Sequence, residues 1–320
     1  MTKTKIRPFQ EIFNLYFHGK YCFEDFIATD VKKHTKKHDI NNKIILSADK
    51  KLKEFHQFIN VFIVNQLEFN DSVCFSYAKN TTTHTCLEPH KNNTYFLSMD
   101  IVNFFGSICN TDITRVIEHN IKQKKINISD IEKYTASIVK LITFEGVLPI
   151  GFTTSGRISN AILFEFDKKI LDYCSPKNIT YSRYADDLIF SGNDTNIGQV
   201  KSTVKNILTD LFDTRLNINN DKTKTYFKNT RIKILGMVIT PNGKITIDKK
   251  IKSDIEIAMY FYVSDSVKFE AILEKKFNGN MHKIFGIIAY INSVDKDYLN
   301  KLRKKYGNYT VESFLRKSAK

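Results

Sequence analysis

The sequence predicts an α+β protein: an antiparallel sheet packed on helices, followed by an all-helical C-terminal segment. Three observations carry this. Two short β-prone runs, 181–184 and 188–191, flank a tight turn. Apolar residues recur at helical spacing elsewhere, as at Leu52, Phe55, Ile59, Phe62, Ile63 and Leu67. The last ~75 residues carry helical patterning throughout. No repeat or low-complexity linker interrupts the chain. The boundaries are therefore changes of element type, not flexible joints.

Taken in order, residues 1–30 are mixed aromatic and polar with a weak helical pattern. Residues 31–53 carry eight lysines and two histidines against Asp39 and Asp49. A solvated face and a strip that touches phosphates are both consistent with this density of charge. A core-facing helix follows from Leu52, then a short strand at 73–77 and a polar stretch at 79–93 without periodicity. The run 95–101 reads as a buried strand ending on Asp100. Helices are expected near 110–123 and 129–144, with Asp112 and Ser129 where caps or first-turn acids belong. A turn at 145–151 leads to a helix at about 154–173. After the 181–191 hairpin come a helix at 197–212 and strands at 216–218, 225–227 and 233–240. The turn Pro241-Asn242-Gly243 leads into a strand at 244–247.

The balance of 49 Lys+Arg against 34 Asp+Glu gives a formal net charge of +15. With 42% hydrophobic residues the chain is globular, so the charge points to a polyanionic partner, nucleic acid before membrane. A solubilising lysine-rich surface is the plainer reading. Residues 241–320 alone hold sixteen Lys/Arg against nine Asp/Glu. The five cysteines, Cys22, Cys74, Cys86, Cys109 and Cys174, are odd in number and lack zinc-ligand spacing. They read as small buried hydrophobes in a reducing compartment. No signal-peptide core and no membrane-length apolar run is visible, so a cytoplasmic protein with no membrane partner is expected.

The chemistry centres on Asp186 and Asp187, adjacent acids at the turn of Tyr184-Ala185-Asp186-Asp187. Alone, they read first as a solvated turn, which is common, and only second as catalytic acids. Asp100, 86 residues upstream at a strand end, changes that reading. In one antiparallel sheet a strand-end acid sits beside a hairpin acid, and two or three carboxylates meeting there suit a pair of Mg²⁺ ions. Such a pair activates an attacking hydroxyl and stabilises a leaving pyrophosphate.

In order and content, these motifs resemble those of the reverse transcriptases. Tyr184-Ala185-Asp186-Asp187 matches the family's YxDD signature, and the stretch from Ser98 through Asp100 to Phe104, Phe105 and Ile108 matches its first catalytic motif. Leu148-Pro149-Ile150-Gly151, running on to Ser155, resembles the PxGxxxS segment. Asn219 to Thr223 resembles the lysine motif, and Ile234-Leu235-Gly236-Met237 the primer grip. The helical tail from His282 to Gly307 resembles the thumb of bacterial retron enzymes. The resemblance spans about residues 40–310.

It implies a right-hand polymerase fold: fingers at 1–95, palm at 96–247 with inserted fingers helices at about 110–148, and a helical thumb at 248–320. It implies an RNA-directed DNA polymerase, a nucleotidyltransferase with Asp100, Asp186 and Asp187 as catalytic acids. They would bind two Mg²⁺ ions, replaceable by Mn²⁺, with the Ile101 backbone beside the metal-bound triphosphate. Lys43, Phe104, Phe105, Gly151 and Lys222 would bind the incoming dNTP, with Phe104, or else Phe105, as the steric gate against a 2′-hydroxyl. Leu235 and Gly236 would grip the primer. Lys301, Arg303, Lys304, Lys305 and Tyr306 would clamp RNA, unless they form a solvated helix face.

The retron likeness further implies a structured non-coding RNA partner and a single-stranded DNA product (msDNA) primed from a guanosine 2′-hydroxyl. A separate effector protein and a role in antiviral defence go with it. The rival readings are another bacterial reverse transcriptase, of stand-alone or group II intron type, and a dead RNA-binding scaffold. The lack of an extension after residue 320 favours the retron form over the intron form, and the three intact acids oppose a scaffold. Three departures from the family pattern stand out. Gly156 replaces a proline, Lys43 replaces an arginine, and Cys86-Leu87-Glu88-Pro89-His90 keeps only the histidine of an NAxxH segment.

Overall fold

The computed structural model describes residues 6–40 and 43–318. The chain forms two compact units. One is built from residues up to Thr82, Leu97–Ser191 and Thr195–Lys224; the other from Thr83–Phe96, Gly192–Asp194 and residues from Thr225 onward.

In the first unit the N-terminal aromatics make a core of rings. Helices Phe9–Phe17, Phe23–Ile27 and Lys50–Phe62 contribute Phe9, Phe13, Phe26, Phe55 and Phe58, all wholly buried. Phe13 stacks on Phe26 at 4.8 Å and meets Phe58 edge-on at 5.3 Å. Such pairs add attraction beyond the area they bury. Asp49 starts the third of these helices, its carboxylate accepting the Leu52 N–H. The basic stretch before it forms a hairpin of β1 (Thr35–Ile40) and β2 (Lys43–Ala48). Its turn, Asn41-Asn42, lies outside the described residues. β1 is exposed along nearly its whole length, so its lysines are solvated.

The central sheet comprises β3 (Tyr95–Asp100), β4 (Thr180–Tyr184), β5 (Asp187–Gly192) and β6 (Lys224–Phe227), in the order β4-β5-β3-β6. Helices Asn110–Lys122, Thr135–Ile142, Ser155–Ile162, Phe164–Cys174 and Val200–Phe212 belong to the same unit as β4 and β5. Asp112 is the first-turn acid of a capping box with Cys109, whereas Ser129 caps no helix. The single helix expected at 154–173 is broken at Leu163.

In the second unit β7 (Ile232–Ile234), β8 (Met237–Ile239) and β9 (Ile245–Ile247) form an antiparallel sheet. Five helices follow, from Lys249 to Ser318. The strand expected at 233–240 is two strands, because Leu235 and Gly236 both take positive φ, 50° and 77°, and reverse the chain. The buried carboxylate of Asp295 joins this sheet to the helices. It bonds Thr246, accepts from Lys252 at 2.9 Å and caps the helix that starts at Lys296. Burial pushes this acid up, but the bonds from Thr246, Lys252 and the Tyr298 N–H outweigh it and hold the group at about 2.

Other expectations need correction. Residues 73–77 form no strand; Cys74 makes an isolated bridge to Arg183, for a reason given below. Residues 216–218 contribute only a bridge from Ile218 to Ile101. The polar stretch contains short helices at Thr83–Leu87 and Glu88–His90. Cys74, Cys86 and Cys174 are buried, but Cys22 is exposed. Among the described residues no helix is long and apolar enough to cross a membrane.

His56 gives the first unit a pH dependence. It is wholly buried against Phe152; its Nε2–H donates to the Leu141 carbonyl at 2.9 Å and its Nδ1 has no partner. Burial pushes it down to about 4. The folded state thus refuses a proton that the unfolded chain takes up below about pH 6.5. This group contributes nothing to the pH dependence above that pH and lowers stability as pH falls from 6.5 toward 4, by about 2 kcal/mol at pH 5. Urea titrations at pH 7 and pH 5 check this: His56→Gln should narrow the difference between the two free energies by about that amount. An unchanged difference rules it out.

Candidate active site

The turn that carries the two acids is short and constrained. Tyr184 pairs with Asp187 across it, leaving Ala185 and Asp186 as its central residues. Ala185 has a φ of 57°, a left-handed conformation that an L-residue adopts only when its surroundings enforce it. The enforcement comes from beneath. Arg183, on β4, is the largest fully buried side chain. Its Nε and Nη2 donate to the two carboxylate oxygens of Asp167 at 2.8 and 2.6 Å, and its Nη1 donates to Asn160 and to the Ala185 carbonyl. Tyr181 donates its hydroxyl to the same carboxylate at 2.8 Å. From the other side the Ser76 hydroxyl accepts the Ala185 N–H at 2.8 Å and bonds Asn160.

Asp100 reaches this turn from the end of β3. The Ile101 N–H donates to the Asp186 carbonyl at 3.1 Å, so the strand end is tied to the turn through backbone. The Asn219 N–H in turn donates to the Asp100 carbonyl at 2.8 Å, which brings in the loop bearing Lys222. Lys222 Nζ stands 3.0 and 3.2 Å from the two oxygens of Asp100. Burial pushes Asp187 up to about 6, with the charges of Asp186 and Asp100 acting the same way. Burial also raises Asp186, and the Asp100 charge adds to it, while Lys222 and Lys43 oppose. These carboxylates are crowded beyond what the nearby lysines neutralise.

Asp100 and Asp186 open on a cleft of about 640 Å³, which Lys37, Lys43, Phe104, Phe105 and Lys222 also line; Asp187 is not among its lining residues. Phe104 is only 2% exposed and belongs to the core, whereas Phe105 is half-buried. Gly151 takes a φ of 109°, and a Cβ there would fall 2.2 Å from the Leu46 carbonyl oxygen. The glycine is thus required by the approach of β2, which also bonds the Ile150 carbonyl through the Leu46 N–H.

Residues 32–239 match the family model "Reverse transcriptase (RNA-dependent DNA polymerase)". The chain belongs to the reverse transcriptase family. RNA-directed DNA polymerase activity goes with that membership, and the fold is that of the right-hand polymerases. This reverse transcriptase is 27% identical to the Escherichia coli retron Ec83 reverse transcriptase over 292 residues, 88% of either chain. It is 27% identical to the retron Ec73 enzyme of the same organism, over 81% of each. Among solved structures it resembles apo telomerase from Candida tropicalis, with a TM-score of 0.50 and 10% identity. The match covers 83% of this chain and 52% of that one, so this reverse transcriptase spans about half the telomerase's length.

The remaining sequence-predicted residues lie in the second unit. Leu235 and Gly236 form the β7–β8 turn, with the Tyr290 hydroxyl 3.8 Å from where a Cβ on Gly236 would stand. On helix Lys296–Tyr306, Arg303 is paired with Glu312 at 2.7 Å and Lys305 with Glu256 at 3.1 Å. Tyr306 donates to the Glu256 carbonyl, while Lys301 and Lys304 are exposed. The proposed clamp therefore has two of its cations engaged by the protein's own carboxylates.

The sequence reading did not find Arg183, Asp167, Asn160, Ser76 or Tyr77. Their partners come from separate helices, loops and strands, and no local pattern joins them. Breaking the buried pair should be costly. Asp167→Asn leaves Arg183 charged and unopposed, and should lower stability by about 3–5 kcal/mol. Asp167→Leu combined with Arg183→Met should recover much of that loss. Urea midpoints for the three proteins decide it; a single substitution costing under about 1 kcal/mol would show that the pair is not needed.

Proposed function

We propose that this reverse transcriptase copies part of a cognate structured RNA into single-stranded DNA that stays joined to it. Synthesis starts from a guanosine 2′-hydroxyl, as the retron resemblance implies. The observation that carries the reading is the meeting of Asp100 and the Asp186–Asp187 turn at one lysine-flanked cleft. Its similarity to retron enzymes over most of its length supports the subclass.

The donor set fits Mg²⁺. It is all oxygen and overcrowded with like charge, and Asp100 already draws a cation, Lys222. Among the described residues no three His, Cys, Asp or Glu side chains are grouped so as to hold an ion by themselves. Asp100, Asp186 and Asp187 would hold two ions, beside the Ile101 backbone; Mn²⁺ has the same ligand preference. Bound there, such ions would supply the Lewis acidity that lowers the pKa of an attacking hydroxyl and stabilises a leaving pyrophosphate.

The chain's own residues do the rest. Lys43 and Lys222 attract the triphosphate to the cleft, Lys43 as a point charge without arginine's fork. Phe105 is the ring with surface to press on the sugar and exclude a 2′-hydroxyl; the buried Phe104 backs it, reversing the order of preference drawn from sequence. Gly151 shapes the cleft wall through the backbone. Leu235-Gly236 supports the primer end, and Lys301 and Lys304 offer exposed charge to RNA phosphates. Fingers, palm and thumb run over 1–95, 96–247 and 248–320. The partners are a structured RNA, dNTPs, the DNA product and a separate effector protein in antiviral defence. Synthesis is cytoplasmic.

Protein purified with its cellular nucleic acid and treated with RNase should yield a discrete branched single-stranded DNA. In Asp186→Asn that DNA should be lost, and extension of an added primer–template should fall at least about a hundredfold. Extension of added primer–template without any branched DNA points to another type of reverse transcriptase. No extension with either Mg²⁺ or Mn²⁺ defeats the polymerase mechanism.

A further inference from the structure

Tyr77 is held in a conformation that packing does not explain. Its φ is 51°, in the left-handed region that a bulky residue rarely adopts, yet the residue is 55% exposed. The flanking backbone is fastened on both sides. The Phe75 N–H donates to the Arg183 carbonyl at 2.9 Å, and the Asn160 amide donates to the Ser76 carbonyl at 2.7 Å. On the far side, the Thr81 hydroxyl bonds the carbonyls of Phe75 and Ala78. A half-exposed aromatic ring is thereby fixed to the structure that supports the catalytic turn.

One face of that ring lies on Gly156. A Cβ there would fall 2.5 Å from two ring carbons of Tyr77. Gly156 sits in the first turn of helix Ser155–Ile162, with no unusual φ to demand glycine, so the space for the ring is the reason it is there. This also accounts for the departure from the family's proline: a pyrrolidine would occupy the space taken by the ring. Tyr77 meets Phe105 nearly edge-on, at 6.5 Å and 80°. Its phenol is raised by burial and by the nearby charge of Asp186. Phe105 lines the cleft that holds Lys43 and Lys222; Tyr77 does not.

We propose that Tyr77 is the stacking platform for the unpaired RNA template base next to the catalytic turn. The proposal rests on the polymerase reading and adds a residue to it. A rigid, half-exposed ring suits a nucleobase, because every base offers a π-face and stacking tolerates any sequence. The template side is assigned because the lysines suited to a triphosphate are in the cleft that Tyr77 leaves to Phe105. Gly156 is the floor that sets the ring's height.

The test places 2-aminopurine at the first unpaired template position of a primer–template bound to the full-length protein, without dNTP. Wild type and Tyr77→Phe should both quench its fluorescence. Tyr77→Leu, which keeps an apolar side chain over Gly156, should restore most of the fluorescence and weaken binding of the overhang roughly tenfold. Gly156→Ala, which displaces the ring from the other side, should do the same while keeping Tyr77 itself. Equal quenching in Tyr77→Leu and wild type, or loss of quenching in Tyr77→Phe, overturns the proposal. Primer extension by wild type in the same preparation keeps the two readings apart. Extension without a change in quenching refutes the platform alone, and absence of extension refutes the polymerase reading.

Discussion

A fully buried arginine under the Asp186–Asp187 turn is the constraint on which the first unit depends. An unpaired guanidinium inside a protein is prohibitively costly, so Arg183 dictates its surroundings. Asp167 must lie on the helix behind β4, with both carboxylate oxygens turned to the guanidinium. Tyr181 and Asn160 must complete the remaining hydrogen bonds, and the Ala185 carbonyl must turn inward to accept one. The inward carbonyl and the Ser76 hydroxyl together hold Ala185 in its left-handed conformation. Buried ion pairs are weak sources of net stability, but they are intolerant of rearrangement. That property matters for a turn that must present adjacent carboxylates without relaxing away from their mutual repulsion.

Above this base the electrostatics run in the opposite sense. Asp187 is pushed up to about 6 by burial and by its neighbours, so the site is short of positive charge despite a chain with a formal net charge of +15. Other basic groups stand off from these acids: Lys36 is exposed on β1, Lys37 and Lys43 line the cleft, and Arg303 and Lys305 are paired within their own unit. Lys222 is the close exception, on Asp100. The overall charge suits a long polyanion, while the local deficit suits a small cation.

Much of the site was legible in advance. The acids, their order along the chain and the strand–turn–strand around Asp186 follow from local pattern, because a hairpin is a short-range structure. The less legible parts depend on what packs against them. Residues 73–77 look like a strand by composition, but Ser76 and Tyr77 are used to clamp Ala185 and to present a ring, and positive φ at Tyr77 ends any extended run. The 233–240 run looks continuous because Leu235 is apolar; its turn depends on two successive left-handed residues. Phe104 and Phe105 are indistinguishable in sequence, and only burial separates them. Gly156 stood out only as a replacement of the family's proline, yet it is the space beneath Tyr77.

The amino-acid sequence by itself determined the class of the fold, the family, the three acids and the surplus of positive charge. Each of these is carried by residue identity or by periodicities of two and 3.6, which need no knowledge of distant partners. Tertiary structure alone decided which lysine reaches Asp100, which of the two phenylalanines is the more buried, why position 156 must be glycine, and how a strained turn is held in place. Those outcomes rest on contacts between residues 16 to 122 positions apart, such as Arg183 with Asp167 and Lys222 with Asp100. Such contacts exist only once the chain has closed on itself, and their energies are set by burial that no local stretch of sequence reveals.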